Sequence, residues 1–138
     1  MRDYVQELVK KYGTRDPFEL ARIFDIKVVF FPLGNSNGYS TTVYREKYIC
    51  INEDLPRHQQ HLTMAHELGH LLLHKSFNTP FLKSHTKLLI NKLEIEANKF
   101  ALELLISDEE LSEYNGCTIQ QLSMIFGYSE EFIKLRLK

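Results

Sequence analysis

Apolar residues recur with helical spacing toward both ends of the chain and with strand character between them. Tyr4, Val5, Leu8 and Val9 share one face of a helix expected over Asp3–Tyr12, and Gly13 supplies its stop. Asp16-Pro17 is an N-cap followed by proline at the first helical position, which opens a second helix running to about Phe24. The period then shortens. Lys27–Phe31 (KVVFF) is β-branched and aromatic and is closed by Pro32-Leu33-Gly34, so it reads as a strand. Asn35–Gly38 has turn chemistry. Tyr39–Tyr44 and Lys47–Asn52 then form the arms of a β-hairpin around Arg45-Glu46, which gives a three-stranded sheet, antiparallel at least in part.

From Pro56 the helical period returns. One long helix is predicted to His74, with Asp54 as its capping residue, and a second over Asn91–Ile106. Between them Lys75–Ile90 has no clear period and contains Pro80, so it reads as a long loop with at most one helical turn. Two short helices start near Thr118 and Ser129, with Gly127 between them. No repeat, low-complexity segment or linker interrupts the chain. The expectation is one α+β domain over residues 1–138, mainly helical, with a small three-stranded sheet. Its parts are N-terminal helices in 1–25, the sheet in 26–52, helices over 56–74 and 91–106, and a helical tail over 107–138.

Composition narrows the function classes. With 43% hydrophobic and 25% charged residues the chain has the make-up of an ordinary globular domain with a modest core. Its 17 basic and 18 acidic residues give a formal net charge of −1, so there is no general attraction to nucleic acid or anionic membrane. Cys50 and Cys117 form neither a metal-type spacing nor a disulfide framework and are expected as reduced thiols. The charged start (MRDYVQELVKKYG) lacks the apolar stretch of a signal peptide, and nothing approaches the roughly 20 apolar residues of a membrane span. The expected location is the cytoplasm.

The segment that carries chemistry is His66-Glu67-Leu68-Gly69-His70. Residues four apart on a helix lie one turn apart on the same face, so both imidazoles can reach one ion. Zinc suits them, because it binds imidazole tetrahedrally and keeps one position for water in catalytic sites. Glu67 lies beside the pair, placed to take a proton from that water and later deliver it to a leaving amine. Met64, Ala65, Leu68, Leu71 and Leu72 occupy the other side of the helix, so one face packs inward while the histidine face opens onto a site.

A third ligand is expected from the second helix. Leu93, Ala97, Phe100, Ala101 and Leu104 form its apolar stripe, and Glu96 lies opposite among Lys92, Lys99 and Glu103 on a solvated face. Glu94 lies at the stripe's edge, beside Ala101 and Leu105. A carboxylate there is partly desolvated unless a cation compensates it. Asn98, one turn on, is placed to accept a hydrogen bond from the free ring N–H of a ligand histidine. The reading is therefore one zinc per chain on His66, His70 and Glu94, with Glu67 catalytic; manganese or iron could occupy the same donor set.

His66–His74 (HELGHLLLH), Glu94-x-x-Ala97-Asn98-x-Phe100-Ala101 and the apolar Leu104-Leu105-Ile106 together resemble the ImmA/IrrE-type metallopeptidases. These are gluzincin-like enzymes of bacteria, phages and integrative elements. The resemblance covers most of the chain and is specific in the two metal segments. It implies a zincin-like minimal metallopeptidase domain, the same ligands and the same general base/acid. It also implies a role, which is cleavage of a helix-turn-helix repressor to release repressed genes of a phage or mobile element.

Other features have ordinary readings beside sharper ones. His74 continues the His66/His70 face one turn further and reads as a hydrogen-bonded or surface histidine, and His58 and His61 as solvated. His85, Tyr39, Tyr44 and Tyr48 are alternatives for stabilising a tetrahedral intermediate, and nothing chooses among them. The hairpin either offers an edge strand to an extended substrate or is blunted by Arg45, Glu46 and Lys47. Thr118–Leu137 has a helix–Gly–helix pattern like that of DNA-reading motifs. Glu130 and Glu131 would repel phosphates, however, and Lys134, Arg136 and Lys138 make only a weak basic face, so a packing role is preferred. A metal-containing module that binds a repressor without cutting it is the alternative function.

Overall fold

Local chemistry sets most element boundaries. In this computed structural model, which describes residues 1–74 and 87–138, helix α1 spans Arg2–Tyr12 and ends where Gly13 turns left-handed at φ 72°. Helix α2 (Pro17–Ile23) is capped by Asp16, whose Oδ1 accepts the Phe18 N–H at 2.9 Å. Strands β1 (Ile26–Phe31), β2 (Gly38–Val43) and β3 (Glu46–Asn52) form a sheet of order β1-β3-β2. β3 runs parallel to β1 and antiparallel to β2, so the sheet is mixed. Tyr44 and Arg45, at φ 49° and 69°, make the two-residue turn whose twist suits a hairpin. Buried Asn52 holds the loop before β2, its Nδ2 donating to Gly34 O and Ser36 O.

Helices α3 (Arg57–Leu73) and α4 (Lys87–Leu105) pack against each other and, through α3, on the sheet. Met64, Ala65 and Leu68 from α3 join Phe100, Ala101 and Leu104 from α4 and Ile49 and Ile51 from β3 in a fully buried core. Burying each large side chain of this set contributes on the order of 1.5–3 kcal/mol. At Gly69 the helices come close: an added Cβ would lie 2.9 Å from Phe100 Cδ1 and 3.3 Å from Ala97 O. Beyond α4 come α5 (Asp108–Ser112), α6 (Ile119–Phe126) and α7 (Glu130–Leu137). Their apolar faces close a second cluster of Leu102, Ile106, Leu122, Tyr128 and Ile133.

Several expectations change. Asp54 does not cap α3; Pro56 precedes the helix with no side-chain cap, and the Asp54 N–H instead donates to Asn52 Oδ1. The helix expected from Asn91 already begins at Lys87, so the expected loop ends earlier; residues 75–86 of it, with His85, lie outside the described residues. Helix α5 was not anticipated, although Ser107 and Glu110 form a capping box. Ile125 stays 44% exposed instead of packing. Arg136 is not on a basic face: it is buried, with Nε and Nη2 donating to Ile106 O and ion pairs to Glu103 at 3.1 Å and Asp108 at 2.9 Å. Glu103 is therefore not on a solvated face either. Arg15 also donates to Glu103 O and Leu104 O, so two guanidinium groups satisfy carbonyls at the end of α4 and fix its axial position.

Candidate metal centre

The α3–α4 packing brings residues 24 or more positions apart within hydrogen-bond reach. His66 Nε2 lies 3.0 Å from Glu94 Oε2, and His70 Nε2 lies 2.7 Å from Glu94 Oε1. One donor atom from each of the three residues falls within 4.8 Å of the others. The two rings stand nearly perpendicular, 4.7 Å apart between centroids. Asn98 Oδ1 is 2.7 Å from His66 Nδ1; an amide oxygen only accepts, so the ring nitrogen donates and Nε2 is turned toward Glu94.

Burial opposes charge on His66, yet the Glu94 hydrogen bond and the nearby Glu67 and Glu94 carboxylates outweigh it and raise its pKa above the ordinary value. Hydrogen bonds from His66 and His70 hold the Glu94 carboxyl far below the usual range, against the effect of burial. The three groups thus favour positive charge between them. Protons on the rings satisfy that preference, and so does one divalent cation on two imidazole nitrogens and a carboxylate oxygen. The donor set fits zinc chemistry.

Glu67 is 8% exposed, and its Oε2 lies 4.0 Å from His66 Nε2. Burial raises its pKa, while the neighbouring imidazoles and a hydrogen bond with the Ser40 side chain draw it back. Ser40 was not singled out in the sequence. The register pairs Ser40 with Ile49 and Gly38 with Ile51, which puts both on the sheet face that packs on α3. A period-2 pattern alone does not say which strand will reach the site. A cleft of about 310 Å³ opens over His66, Glu67, Glu94 and Asn98, walled by Gly38 of β2 and Phe132 of α7.

The hairpin tyrosines do not enter this cleft. Tyr39 pairs with Cys50 and Thr41 with Tyr48 on the opposite sheet face, Tyr48 donates to Glu46 at 2.7 Å, and Tyr44 is 96% exposed at the turn. His61, expected to be solvated, is half-buried with its ring edge-on to Phe18; His58 is exposed and stacks on Tyr128. His74, at the end of α3, is 5% exposed and contacts His70 and Glu96. Glu96 is thus paired and not merely solvated. Among the described residues no helix is long and apolar enough to cross a membrane.

Comparison with known proteins gives concordant results. The family model of the IrrE N-terminal-like domain, Peptidase_M78, matches residues 21–138. The chain is 39% identical over 134 residues to Metallopeptidase ImmA of Bacillus subtilis (strain 168), covering 94% of this chain and 72% of that protein. It is 38% identical over 135 residues to Uncharacterized immunity region protein 2 of Bacillus phage phi105, covering 96% and 85%. Among solved structures, a Mycobacterium tuberculosis transcriptional regulator superposes with a TM-score of 0.66 at 20% identity, covering 99% of this chain. This chain spans 46% of that regulator, and at such identity the likeness concerns the fold alone.

Proposed function

The chain belongs to the IrrE N-terminal-like family of peptidases, Peptidase_M78, and on that premise we propose that it is a zinc-dependent endopeptidase that cleaves a helix-turn-helix transcriptional repressor. Membership carries a metallopeptidase-type function. The observation that supports the finer reading is the convergence of His66, His70 and Glu94 beside the buried carboxylate of Glu67 in an open cleft. A purely structural zinc would not call for that fourth residue. The similarity to a phage immunity region protein favours a substrate among the proteins that govern such regions.

His66, His70 and Glu94 would hold the metal, which supplies Lewis acidity toward water and the scissile carbonyl. The chain's own residues do the rest. Asn98 fixes the His66 ring so that Nε2 faces the cleft. Glu67, whose pKa burial raises, would take one proton at its carboxylate and return it to the leaving amine. The Ser40 hydroxyl keeps that carboxylate oriented. β2 is one of the two edge strands of the sheet, and its start borders the cleft, so an extended peptide laid along it would present a carbonyl to the site.

The test is a Glu67→Gln variant, assayed by co-expression with a phage-type helix-turn-helix repressor as substrate. Full-length repressor should disappear with wild type and persist with the variant. Purified variant should retain one zinc per chain, which Glu94→Ala should lose. The expected loss of rate is about 10²–10⁴-fold. Cleavage by Glu67→Gln at the wild-type rate would sink the acid–base role. Repressor bound but uncut by the zinc-loaded wild type would turn the reading into a binding module.

A further inference from the structure

The contacts between α3 and α4 continue past the three donor residues to a second pair of side chains. His74 caps the end of α3 one turn beyond His70, and Glu96 lies one turn short of Phe100 on α4. His74 Nδ1 is 3.2 Å from His70 Nδ1, and His74 Nε2 is 3.0 Å from Glu96 Oε2. The His74 side chain is 4% exposed and that of Glu96 38% exposed, so the chain of contacts starts at the surface and runs inward.

Donor and acceptor roles then follow in order. A carboxylate accepts only, so the hydrogen between His74 and Glu96 is on His74 Nε2. A neutral imidazole with its hydrogen on Nε2 has its lone pair on Nδ1, which makes that nitrogen an acceptor facing His70 Nδ1. His70 Nδ1 must therefore be the donor. A ring with its hydrogen on Nδ1 has Nε2 as the nitrogen free for a metal, and His70 Nε2 is the atom 2.7 Å from Glu94 Oε1. We propose that His74 and Glu96 are positioning residues that select this tautomer of His70 and fix its ring plane; the proposal rests on the metal-centre reading above. The two ligand-type histidines are anchored by different chemistry: His66 by the neutral amide oxygen of Asn98, His70 by an imidazole that ends on a carboxylate. A carboxylate at the far end strengthens the chain of hydrogen bonds that holds the His70 ring.

The experiment compares Glu96→Ala, Glu96→Gln, His74→Ala and Glu94→Ala with wild type in the full chain. Zinc affinity is read by competition with a chromophoric chelator, and ring tautomers by long-range nitrogen–proton NMR of the zinc-loaded protein. Glu96→Ala and His74→Ala should each weaken zinc binding by about 10- to 100-fold. Glu96→Gln keeps an accepting oxygen and should recover part of that loss. The loaded wild type should show hydrogen on His70 Nδ1 and on His74 Nε2. Glu96→Gln, which keeps an acceptor for the buried His74 ring, should leave the melting temperature of the metal-free protein close to wild type, and affinities are compared at a temperature where every variant is folded by circular dichroism, which separates positioning from unfolding. Wild-type affinity in both Glu96→Ala and His74→Ala, with binding still lost in Glu94→Ala, would overturn this proposal alone. So would hydrogen on His74 Nδ1 in the loaded protein. A wild type that takes up no zinc, or keeps it in Glu94→Ala, would overturn the metal centre and this proposal with it.

Discussion

Gly69 stands between Glu67 and His70 where α3 comes close to α4, and replacing it with alanine tests whether that approach sets the geometry of the site. The added Cβ would meet Phe100 Cδ1 at 2.9 Å, Phe100 Cγ at 3.2 Å and Ala97 O at 3.3 Å. Carbon atoms in good contact lie about 3.5–4.0 Å apart. The ring cannot swing away, because Phe100 is fully buried and the clashing atoms include its point of attachment. The helices must therefore separate by several tenths of an ångström. Overpacking of this kind, against a ring that cannot move and a backbone carbonyl, belongs to the upper part of the usual range and costs about 2–3 kcal/mol. Alanine returns about 1 kcal/mol through its better helix propensity. The expected net loss is about 1–2 kcal/mol. With 138 residues and an unfolding entropy of about 2.1 cal/mol/K per residue, that is a fall of about 3–7 °C in melting temperature. Calorimetry of the metal-free protein gives the shift directly. Zinc affinity should fall as well, because Glu94 and Asn98 are carried on the displaced helix. Phe100→Leu in the Gly69→Ala background should restore part of the loss, with a coupling energy of at least about 0.5 kcal/mol. A Gly69→Ala protein that melts at or above wild type would refute the reasoning, since helix propensity alone would then decide.

Two further predictions concern the elements that hold α4 and β2 in place. Arg136→Met leaves the half-buried Glu103 carboxylate without its guanidinium and Asp108 with only the exposed Arg2, and at neutral pH should cost about 3 kcal/mol by urea unfolding, near the lower end for a broken buried pair. The loss should depend on pH: the Arg136 hydrogen bond, first among its causes, lowers the Asp108 pKa, and the stability this gives is present above the ordinary carboxylate range and lost as pH falls through the depressed value. Burial raises Glu103 and Arg136 offsets it, so without Arg136 this carboxyl protonates at higher pH and the variant recovers as pH falls. The gap between wild type and variant should therefore be widest near neutrality and shrink through about pH 5 to 3; a gap independent of pH would contradict the ion-pair account. Gly38→Ala places a Cβ 2.6 Å from Cys50 O and 2.8 Å from Thr63 Cγ2, and should lower the urea midpoint by the equivalent of about 1–3 kcal/mol. An unchanged midpoint would mean that β2 and α3 are not held as close as described.

Much of the architecture was legible because it is local. The cap at Asp16, the stops at Gly13 and Gly127 and the pairing of His66 with His70 depend on residues within one or two turns. The choice between Glu94 and Glu96 rested on helix amphipathicity, and the fold puts the Glu94 oxygens at the two imidazoles and Glu96 at His74. Glu96 looked like an ordinary solvated carboxylate because its partner is 22 positions away and belongs to another helix. Arg136 looked like part of a basic face for the same reason: Glu103 and Ile106 are about 30 positions earlier.

Period, capping chemistry and the four-residue spacing of two histidines determined the succession of helices and strands and the type of site the chain can build. Strand order, the face of the sheet that meets α3, and the pairs that join α3 to α4 and α4 to α7 were decided only by the tertiary structure. A periodic pattern says that a face is buried without saying against what. Ser40 reaches Glu67 while Tyr39 turns away because β3 lies between β1 and β2 with its Ile49 and Ile51 face on α3. His74 meets Glu96 because the close approach at Gly69 brings the backbones of two helices within reach of both side chains.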